Sequence, residues 1–491
     1  MTIRVNNRNL PVHHFFAPRD GDVYAKIPVD YARAEIDGPA RVEITPPVPP
    51  VELRVSARRE IDVTRTETTL AFSVDAAGPY LVHGDTWRLL LFCDAHPYQM
   101  PDIDDDDVFL PDGPDTTGSV RCTDILQQAI DRAGACGGKA VIPAGTYLTG
   151  TLFMRSNMTL HIDRDAVLLG TTEMAEYPDV SENISPTLHK SLDPQTSGAV
   201  IMCDSVRNAR ITGRGIVDGQ GDAVRATREG RRRNLNLLRI RDSRNVLVDG
   251  VALCNPLFWN SHVLRSENVV FRNLPVINEI PPRTWSMATH GREIPWNNTD
   301  GINPDASRNV VIESVFAYCG DDCVPVKCTN SSPVPAESCE NITVRDCLFY
   351  TPCTAMKIGT ESVAESMRNM TFEEIKIVSA GCAIGAFVKD NACVRNITFR
   401  DIVVEWCSRP VLVELSPRTE GQTEHASAHR LLFSGIEFRD VREPFELKGF
   451  DAAHDIRGVV IKNVTIGGTP LADESSPHLV TNEFVRDMSF A

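Results

Sequence analysis

The sequence has no long apolar run and few aromatic residues. No stretch of about twenty apolar residues occurs, which argues against a membrane-spanning helix. The first ten residues contain no apolar signal core, so we predict a cytoplasmic protein, or a secreted one whose signal has been removed. Aromatic residues make up 7% and hydrophobic residues 42% of 491 residues. A chain of this length can bury a large core and is expected to hold more than one domain.

The 14 cysteines lack the Cys-x-x-Cys spacing of common metal sites. A chain of this size does not need disulfide staples, so we interpret most of them as reduced, buried, apolar residues, with disulfides as the alternative. Six fall close together, at Cys319, Cys323, Cys328, Cys339, Cys347 and Cys353. We expect no zinc, no other metal and no cofactor.

Short β-like segments repeat a pattern of Asn followed by apolar residues along most of the chain. The Asn residues of the complete copies are Asn208, Asn245, Asn268, Asn309, Asn341, Asn369 and Asn396. They are separated by 37, 23, 41, 32, 28 and 27 residues. A base period in the twenties, interrupted by inserted loops, is typical of a solenoid.

Each repeat joins two short runs of β-forming residues through a polar corner, as at 246–248 and 251–253 around Asp249-Gly250. One such unit cannot bury its apolar side alone, so successive units stack as coils with their Asn side chains in a hydrogen-bonded ladder. A β-sandwich with Asn-rich turns is the alternative, but a sandwich does not repeat one unit so often. The pattern therefore predicts an all-β protein built on a parallel β-helix.

The N-terminal part differs. Residues 41–45, 51–55 and 70–74 alternate between apolar and polar side chains, which predicts a small antiparallel β-sandwich over residues 1–98. An acidic segment follows, and we interpret residues 99–114 as a solvated linker, with a calcium site as the alternative. A helix over 122–135, with Thr123 as N-cap, then covers the open end of the β-helix domain, residues 115–491.

Four motifs in the second domain resemble the polygalacturonase family, glycoside hydrolase family 28. They lie at 137–147, 215–221, 298–305 and 320–327, and include Asn-Thr-Asp-Gly at 298–301 and Gly-Asp-Asp-Cys at 320–323. The resemblance covers residues 115 to 467, with the motifs in the family's order. It implies a right-handed parallel β-helix that hydrolyses pectic polysaccharides with inversion.

The same resemblance implies a catalytic role for three carboxylates. Asp321 would protonate the leaving oxygen, while Asp300 and Asp322 would hold and activate the attacking water. Glycoside cleavage needs one protonated and one ionised carboxyl group in any case. Crowding of like charges raises the pKa of one member of such a cluster, which allows it to keep its proton. The alternative is that both motifs are ordinary turns.

Two departures from the family pattern concern substrate binding. The family's His motif is replaced by Gly-Thr-Glu-Ser at 359–362, so Glu361 is expected to occupy part of the space of the missing His. The family's Arg-Ile-Lys becomes Phe387-Val388-Lys389, which keeps the Lys but loses a guanidinium suited to a sugar carboxylate. The residues that we predict to bind substrate are Asn298, Lys389, Glu361, Lys357, Trp296, His290 and Arg292.

Several functions remain open at this point. The net charge of -16 argues against a long polyanionic substrate and favours an exo-acting enzyme on uronate-containing oligosaccharides, with the arginines of 225–233 as further candidate cations. A neutral α-glucan hydrolase, similar to dextranases and isopullulanases, would explain the missing Arg and His. A lyase or epimerase would need calcium or a strong base, and a non-catalytic carbohydrate-binding β-helix would bind without turnover. We expect no nucleic-acid or membrane partner, and the oligomeric state is open.

Overall fold

The computed structural model describes residues 1–18, 26–95, 106–180, 196–225, 233–280, 298–329 and 338–491. The N-terminal module contains a 3-10 turn at Pro50–Glu52 and ten strands. These strands are β1 Thr2–Val5, β2 Arg8–Asn9, β3 His13–Phe15, β4 Val29–Glu35, β5 Ala40–Thr45, β6 Arg54–Ala57, β7 Val63–Arg65, β8 Leu70–Val74, β9 Gly78–His83 and β10 Arg88–Asp94.

The ten strands form two packed five-stranded sheets. One sheet has the order β2-β1-β5-β8-β7 and is antiparallel throughout. The other has the order β3-β4-β10-β9-β6, and here β4 and β10 pair in parallel. The sandwich predicted from alternation is therefore present, but one of its pairings is not antiparallel. Alternation shows which side chains face the core and carries no information on strand direction.

In its described residues, the second domain is a single stack of 29 strands with two helices, α1 Thr123–Cys136 and α2 Gly221–Arg225, and a 3-10 turn at Met174–Glu176. Its first strands are β11 Val108–Phe109, β12 Thr117–Arg121, β13 Lys139–Ile142, β14 Gly145–Thr149, β15 Leu152–Phe153, β16 Thr159–Ile162, β17 Ala166–Gly170, β18 Thr196–Asp204, β19 Arg207–Gly213, β20 Ile216–Asp218, β21 Arg233–Arg241, β22 Arg244–Asp249, β23 Ala252–Cys254, β24 Ser261–Leu264 and β25 Glu267–Ile277. The remaining strands are β26 Ile302–Asp305, β27 Arg308–Tyr318, β28 Val324–Cys328, β29 Cys339–Arg345, β30 Leu348–Tyr350, β31 Thr354–Ser362, β32 Ser366–Val388, β33 Cys393–Leu415, β34 Ser427–Val441, β35 Phe445–Lys448, β36 Ile456–Ile466, β37 Thr469–Pro470, β38 Leu479–Thr481 and β39 Val485–Phe490.

These strands form a right-handed parallel β-helix with three faces. The ladder sheet includes β13, β16, β19, β22, the starts of β25 and β27, and β29. The packing sheet includes β17, β20, β23, the ends of β25 and β27, and β30. The site sheet includes β18, β21, β24, β26, β28 and β31, and continues through the ends of β32 and β33.

The Asn ladder forms as the repeat predicts. Each Asn donates from its side-chain amide to the side-chain oxygen of the Asn one coil earlier, from Asn208 on Asn157 to Asn396 on Asn369, at 2.8 to 3.2 Å. Every Asn in this row has a φ between 55° and 60°. Asn tolerates this left-handed conformation better than most residues, which explains why the same residue recurs at the corner of each coil.

The linker region and the capping helix differ in detail from the expectation. Strand β11, inside the predicted linker, pairs in parallel with β13, so this part already belongs to the β-helix. Thr123 is the first residue of α1, and Cys122 is its N-cap. The Thr123 hydroxyl instead accepts a hydrogen bond from Gly150 N at 2.8 Å, which ties the helix to the first coil.

The β-helix has an aliphatic core with a stack of aromatic rings. Phe372, Phe399 and Phe433 lie on consecutive coils, with ring centroids 5.0 and 5.3 Å apart. All 14 cysteines are unpaired, and all but Cys136 and Cys393 are buried. A second core joins the N-terminal module to the packing sheet. Among the described residues, no helix has both the length and the apolar character needed to cross a membrane.

Candidate active site

Three carboxylates meet where the chain turns from the packing sheet into the site sheet. Asp300 lies just before β26, and Asp321 and Asp322 lie between β27 and β28 on the neighbouring coil. One carboxylate oxygen from each lies within 4.8 Å of the other two. Asp300 is 1% exposed, Asp322 3% and Asp321 7%, so Asp321 is the most accessible of the three. The structure thus brings together the three acids that the motifs predict.

Tight backbone contacts hold the two turns against each other. The Asn278 side-chain amide donates to the carbonyl oxygens of Thr299 and Asp300, at 2.7 and 3.1 Å. Gly320 packs directly on the earlier turn, because a Cβ at this position would lie 2.2 Å from the carbonyl oxygen of Glu279. Only glycine allows this approach, which sets the position of the carboxylates that follow it.

Lys327 is buried beside Asp300. Its Nζ donates to Asp300 Oδ2 at 2.9 Å, lies 4.0 Å from Glu361 Oε2 and lies 3.7 Å from the centre of the Trp259 ring. Burial lowers the pKa of Lys327, but Asp300 and Glu361 outweigh burial, and the pKa is raised. Lys327 therefore keeps its charge next to the acids.

The ionisation of Asp300 is controlled by opposing effects. Burial raises its pKa well above the ordinary value, and the neighbouring charges of Asp321 and Asp322 raise it further. The ammonium of Lys327 acts in the opposite direction without cancelling the effect of burial. A carboxylate with a raised pKa is a stronger base once it is ionised.

Asp322 is held by donors at both of its oxygens. Thr354 N donates to Oδ1 at 3.0 Å, and Lys357 Nζ donates to Oδ2 at 2.6 Å. Burial lowers the pKa of Lys357, but Asp322 and Asp321 raise it more, so Lys357 is charged. By contrast, Oδ1 of Asp300 accepts no hydrogen bond from any described residue. Asp300 therefore has the oxygen that is available to a water molecule or a sugar hydroxyl.

Among the described residues, the three acids lie close enough together to bind a metal ion. Two ammonium groups already contact this cluster, Lys327 at Asp300 and Lys357 at Asp322. Since a divalent cation would have to compete with both charges, the local chemistry favours a site that works without metal.

The other predicted site residues have different surroundings. Asn298 accepts a hydrogen bond from Trp259 Nε1 at 3.1 Å. Lys389 directly follows β32 and is half-buried, and none of the ion pairs among the described residues includes its Nζ. Lys357 binds Asp322, and Glu361 lies near Lys327, as stated above. Trp296, His290 and Arg292 fall outside the described residues.

Three site residues were not predicted from the sequence. Trp259 contacts both Asn298 and Lys327, and only the apolar run before β24 marks it. Lys327 is the last residue of the motif at 320–327. Its place in that motif was the signal from which it could have been predicted. Arg418 follows β33 and binds Asp390 through two nitrogens, each at 2.7 Å, and donates to the carbonyl oxygen of Thr360. No sequence signal connects Arg418 to Asp390 or Thr360.

Arg225, one of the candidate cations, is engaged elsewhere. Its guanidinium is buried and pairs with Glu279 beneath the active-site turns. His262, on β24, bonds through Nε2 to Asp305 at 2.9 Å, and burial lowers its pKa. A neutral, buried histidine therefore lies one coil from the acids, on a different strand from the family's missing His.

Comparison with known sequences identifies relatives of the β-helix domain. The sequence profile of glycosyl hydrolases family 28 matches residues 138–476. A probable polygalacturonase of Vitis vinifera is 25% identical over 377 residues, covering 71% of this chain and 72% of that protein. An exo-poly-alpha-D-galacturonosidase of Dickeya chrysanthemi is 26% identical over 256 residues, covering 42% of this chain and 39% of that protein.

Solved structures share the fold. A family 28 exopolygalacturonase of Yersinia enterocolitica superposes with a TM-score of 0.61 at 18% identity, covering 85% of both chains. Dex49A of Penicillium minioluteum superposes with a TM-score of 0.57 at 12% identity, covering 100% of this chain and 93% of the other. The second alignment includes the N-terminal module, so an arrangement of this kind occurs in another β-helix protein.

Proposed function

We propose, from the premise that this chain belongs to glycosyl hydrolases family 28, that it hydrolyses galacturonate linkages of pectic oligosaccharides and acts from the chain end. The protein is a glycoside hydrolase. The observation that carries the proposal is the contact between Asp300, Asp321 and Asp322 on two adjacent turns.

The acids take different roles because their surroundings differ. Asp321, the most exposed, protonates the glycosidic oxygen as the bond to the anomeric carbon breaks. Asp300 holds the attacking water at its Oδ1 and takes a proton from it as the new bond forms, with Asp322 beside it. The net reaction adds one water across the bond. Three carboxyl groups this close cannot all ionise cheaply, so the cluster keeps one proton, and the proposed reaction requires that proton on Asp321 and an ionised Asp300.

The distances give no support to inversion by themselves. Oxygens within 4.8 Å are closer than the roughly 6.5–9.5 Å between the carboxyl groups of many inverting glycosidases. We propose inversion because the family to which this chain belongs is expected to invert, as the resemblance of the motifs implies. Proton NMR of the first product distinguishes the outcomes, since inversion of an α-linkage releases the β-anomer first.

The substrate carboxylate requires a cation, and Lys389 is the candidate. Its Nζ has no acidic partner among the described residues, whereas Lys327 and Lys357 are committed to the acids. Exo action is supported by the relative from Dickeya chrysanthemi, whose name states it. The second candidate, hydrolysis of a neutral α-glucan, is favoured by Phe387, which stands where the family has an Arg.

The test is sugar release from a matched panel. Oligogalacturonides, rhamnogalacturonan oligomers and neutral α-glucans are incubated with the protein and with Asp321→Asn. We expect monomer or dimer release from oligogalacturonides, absent in the variant. Release from glucans alone would replace the proposal with the second candidate, and mixed oligomer lengths at early times would exclude exo action. Binding without turnover across the panel would indicate a carbohydrate-binding protein.

A further inference from the structure

The N-terminal module packs on the strand ends that lead into the active-site turns. Strands β25, β27 and β30 of the packing sheet end at Ile277, Tyr318 and Tyr350. All three residues are buried in the core shared with the module. Asp321 and Asp322 follow directly, three and four residues after Tyr318. The module therefore contacts the coils of the active site at the point where each turn begins.

Arg88, the first residue of β10, makes the most direct of these contacts. Its Nη2 donates to the Tyr350 hydroxyl at 3.0 Å, and its guanidinium carbon lies 5.2 Å from the Tyr350 ring and 5.8 Å from the Tyr318 ring. The two rings stack at 5.2 Å. Arg88 is 6% exposed. A desolvated cation against two stacked rings fixes both rings.

The Tyr350 contact reaches Asp321 through one more residue. Thr351 follows Tyr350, and its hydroxyl donates to the carbonyl oxygen of Asp321. Its hydroxyl also accepts from Cys353 N at 2.9 Å. A displacement of Tyr350 would therefore move the backbone that carries Asp321.

Lys26 makes a second contact from the module, beneath the turn that carries Asp300. Its Nζ lies 3.4 Å from Asp222 Oδ2 and 3.8 Å from Glu279 Oε1, and its side chain is 6% exposed. The carbonyl oxygen of Glu279 accepts from Thr299 Oγ1 at 3.5 Å and abuts Gly320. Thr299 and Gly320 are the residues immediately before Asp300 and Asp321.

We infer that the N-terminal module is part of the catalytic unit, and that Arg88 and Lys26 are positioning residues for the turns of Asp300 and Asp321. This inference rests on the proposed function of those acids. Its physical basis is that catalytic groups displaced by about 1 Å lose on the order of 10²-fold in rate. A module that only tethered the enzyme or bound glycan would not need buried cations at these strand ends.

The test compares two kinds of interface variant. Arg88→Met and Lys26→Met each remove a charge beneath the turns while keeping an unbranched apolar side chain. Arg58→Met is the matched control, because Arg58 also joins the module to the β-helix. Its partner Asp346 lies in the turn between β29 and β30, at the opposite end of β30 from Tyr350. The parameters kcat and KM on an oligogalacturonide, thermal unfolding, and amide hydrogen exchange of 319–323 are measured.

We expect Arg88→Met and Lys26→Met to lose at least about tenfold in kcat, with KM nearly unchanged. Hydrogen exchange over 319–323 should accelerate in Arg88→Met, and Arg88→Lys should recover part of the loss. Arg58→Met should keep its kcat and its exchange pattern. Tyr350→Phe, which removes only the hydroxyl that Arg88 contacts, replaces Arg88→Met if that variant does not fold.

Two results would overturn the inference. One is parental kcat and exchange in the folded Arg88 and Lys26 variants. The other is an equal loss in Arg58→Met, which would show that any loosening of the interface has the same effect. If the parent protein cleaves no galacturonide, the proposed function fails separately, and the exchange measurement still decides whether the module holds the turns.

Discussion

Lys327→Met tests the charge balance of the active site most directly. The substitution keeps an unbranched side chain beneath the Trp259 ring and removes the ammonium that lies 2.9 Å from Asp300 Oδ2. Lys327 is 4% exposed and Asp300 1%, so water does not screen this pair. Removing one partner of a buried ion pair costs about 3–5 kcal/mol, because the remaining charge has no counter-charge.

Asp300 can escape this cost by binding a proton. Loss of the Lys327 ammonium therefore raises the pKa of Asp300 further above its ordinary value, because burial and the charges of Asp321 and Asp322 then act without opposition from Lys327. A raised pKa in the folded state supplies stability that is present below the unfolded pKa and is lost as pH rises through the folded pKa. The variant should therefore be nearly as stable as the parent below the ordinary pKa of an aspartate and fall behind the parent as pH rises above that value.

Activity should respond in the same direction. If ionised Asp300 activates the water, the rising limb of kcat against pH moves to higher pH in Lys327→Met, and kcat at lower pH falls. Unfolding temperature and kcat are measured across the pH range, with Lys139→Met as control, since the pair between Lys139 and Asp107 is surface-exposed and is expected to contribute less than about 1 kcal/mol. A stability deficit that does not change with pH, or an unmoved rate profile, would refute this account.

Three further predictions follow from the structure. Asp321→Asn should reduce kcat by about 10²–10⁴-fold while leaving the unfolding temperature unchanged or higher, because Asn resembles the protonated acid and cannot ionise beside Asp300 and Asp322; a large drop in stability would contradict this view. Asn309→Ala loses the ladder hydrogen bonds to Asn268 and from Asn341. Its free energy of unfolding in urea should fall by about 1–3 kcal/mol, with the kcat of the folded protein unchanged. Asn309→Asp should still accept the hydrogen bond from Asn341. Chelation by EDTA should leave turnover unaltered, since Lys327 and Lys357 already contact Asp300 and Asp322, and loss of turnover that calcium restores would favour a lyase.

Features encoded by local patterns were predicted from the sequence, whereas features that depend on contacts between distant coils were not. The Asn repeat predicted the coils and the ladder because the same corner conformation recurs in every unit. The grouping of Asp300 with Asp321 and Asp322 followed from motifs that match a known family. Arg418 and Trp259 were missed because they approach the site from other coils, where no local pattern marks them. The parallel pairing of β4 with β10 was missed because alternation does not encode strand direction.

The β-helix and its Asn ladder follow from the sequence, since periodic apolar residues and a repeated corner residue specify a stack of coils, and the three acids follow from motifs that resemble a known family. The charges of those acids and the groups that hold them depend on tertiary contacts. Lys327 and Lys357 are separated from their partners by 27 and 35 residues, Arg88 and Tyr350 by 262. The burial that raises the pKa of Asp300, and the contact of the N-terminal module with the active-site turns, exist only once distant parts of the chain have packed together.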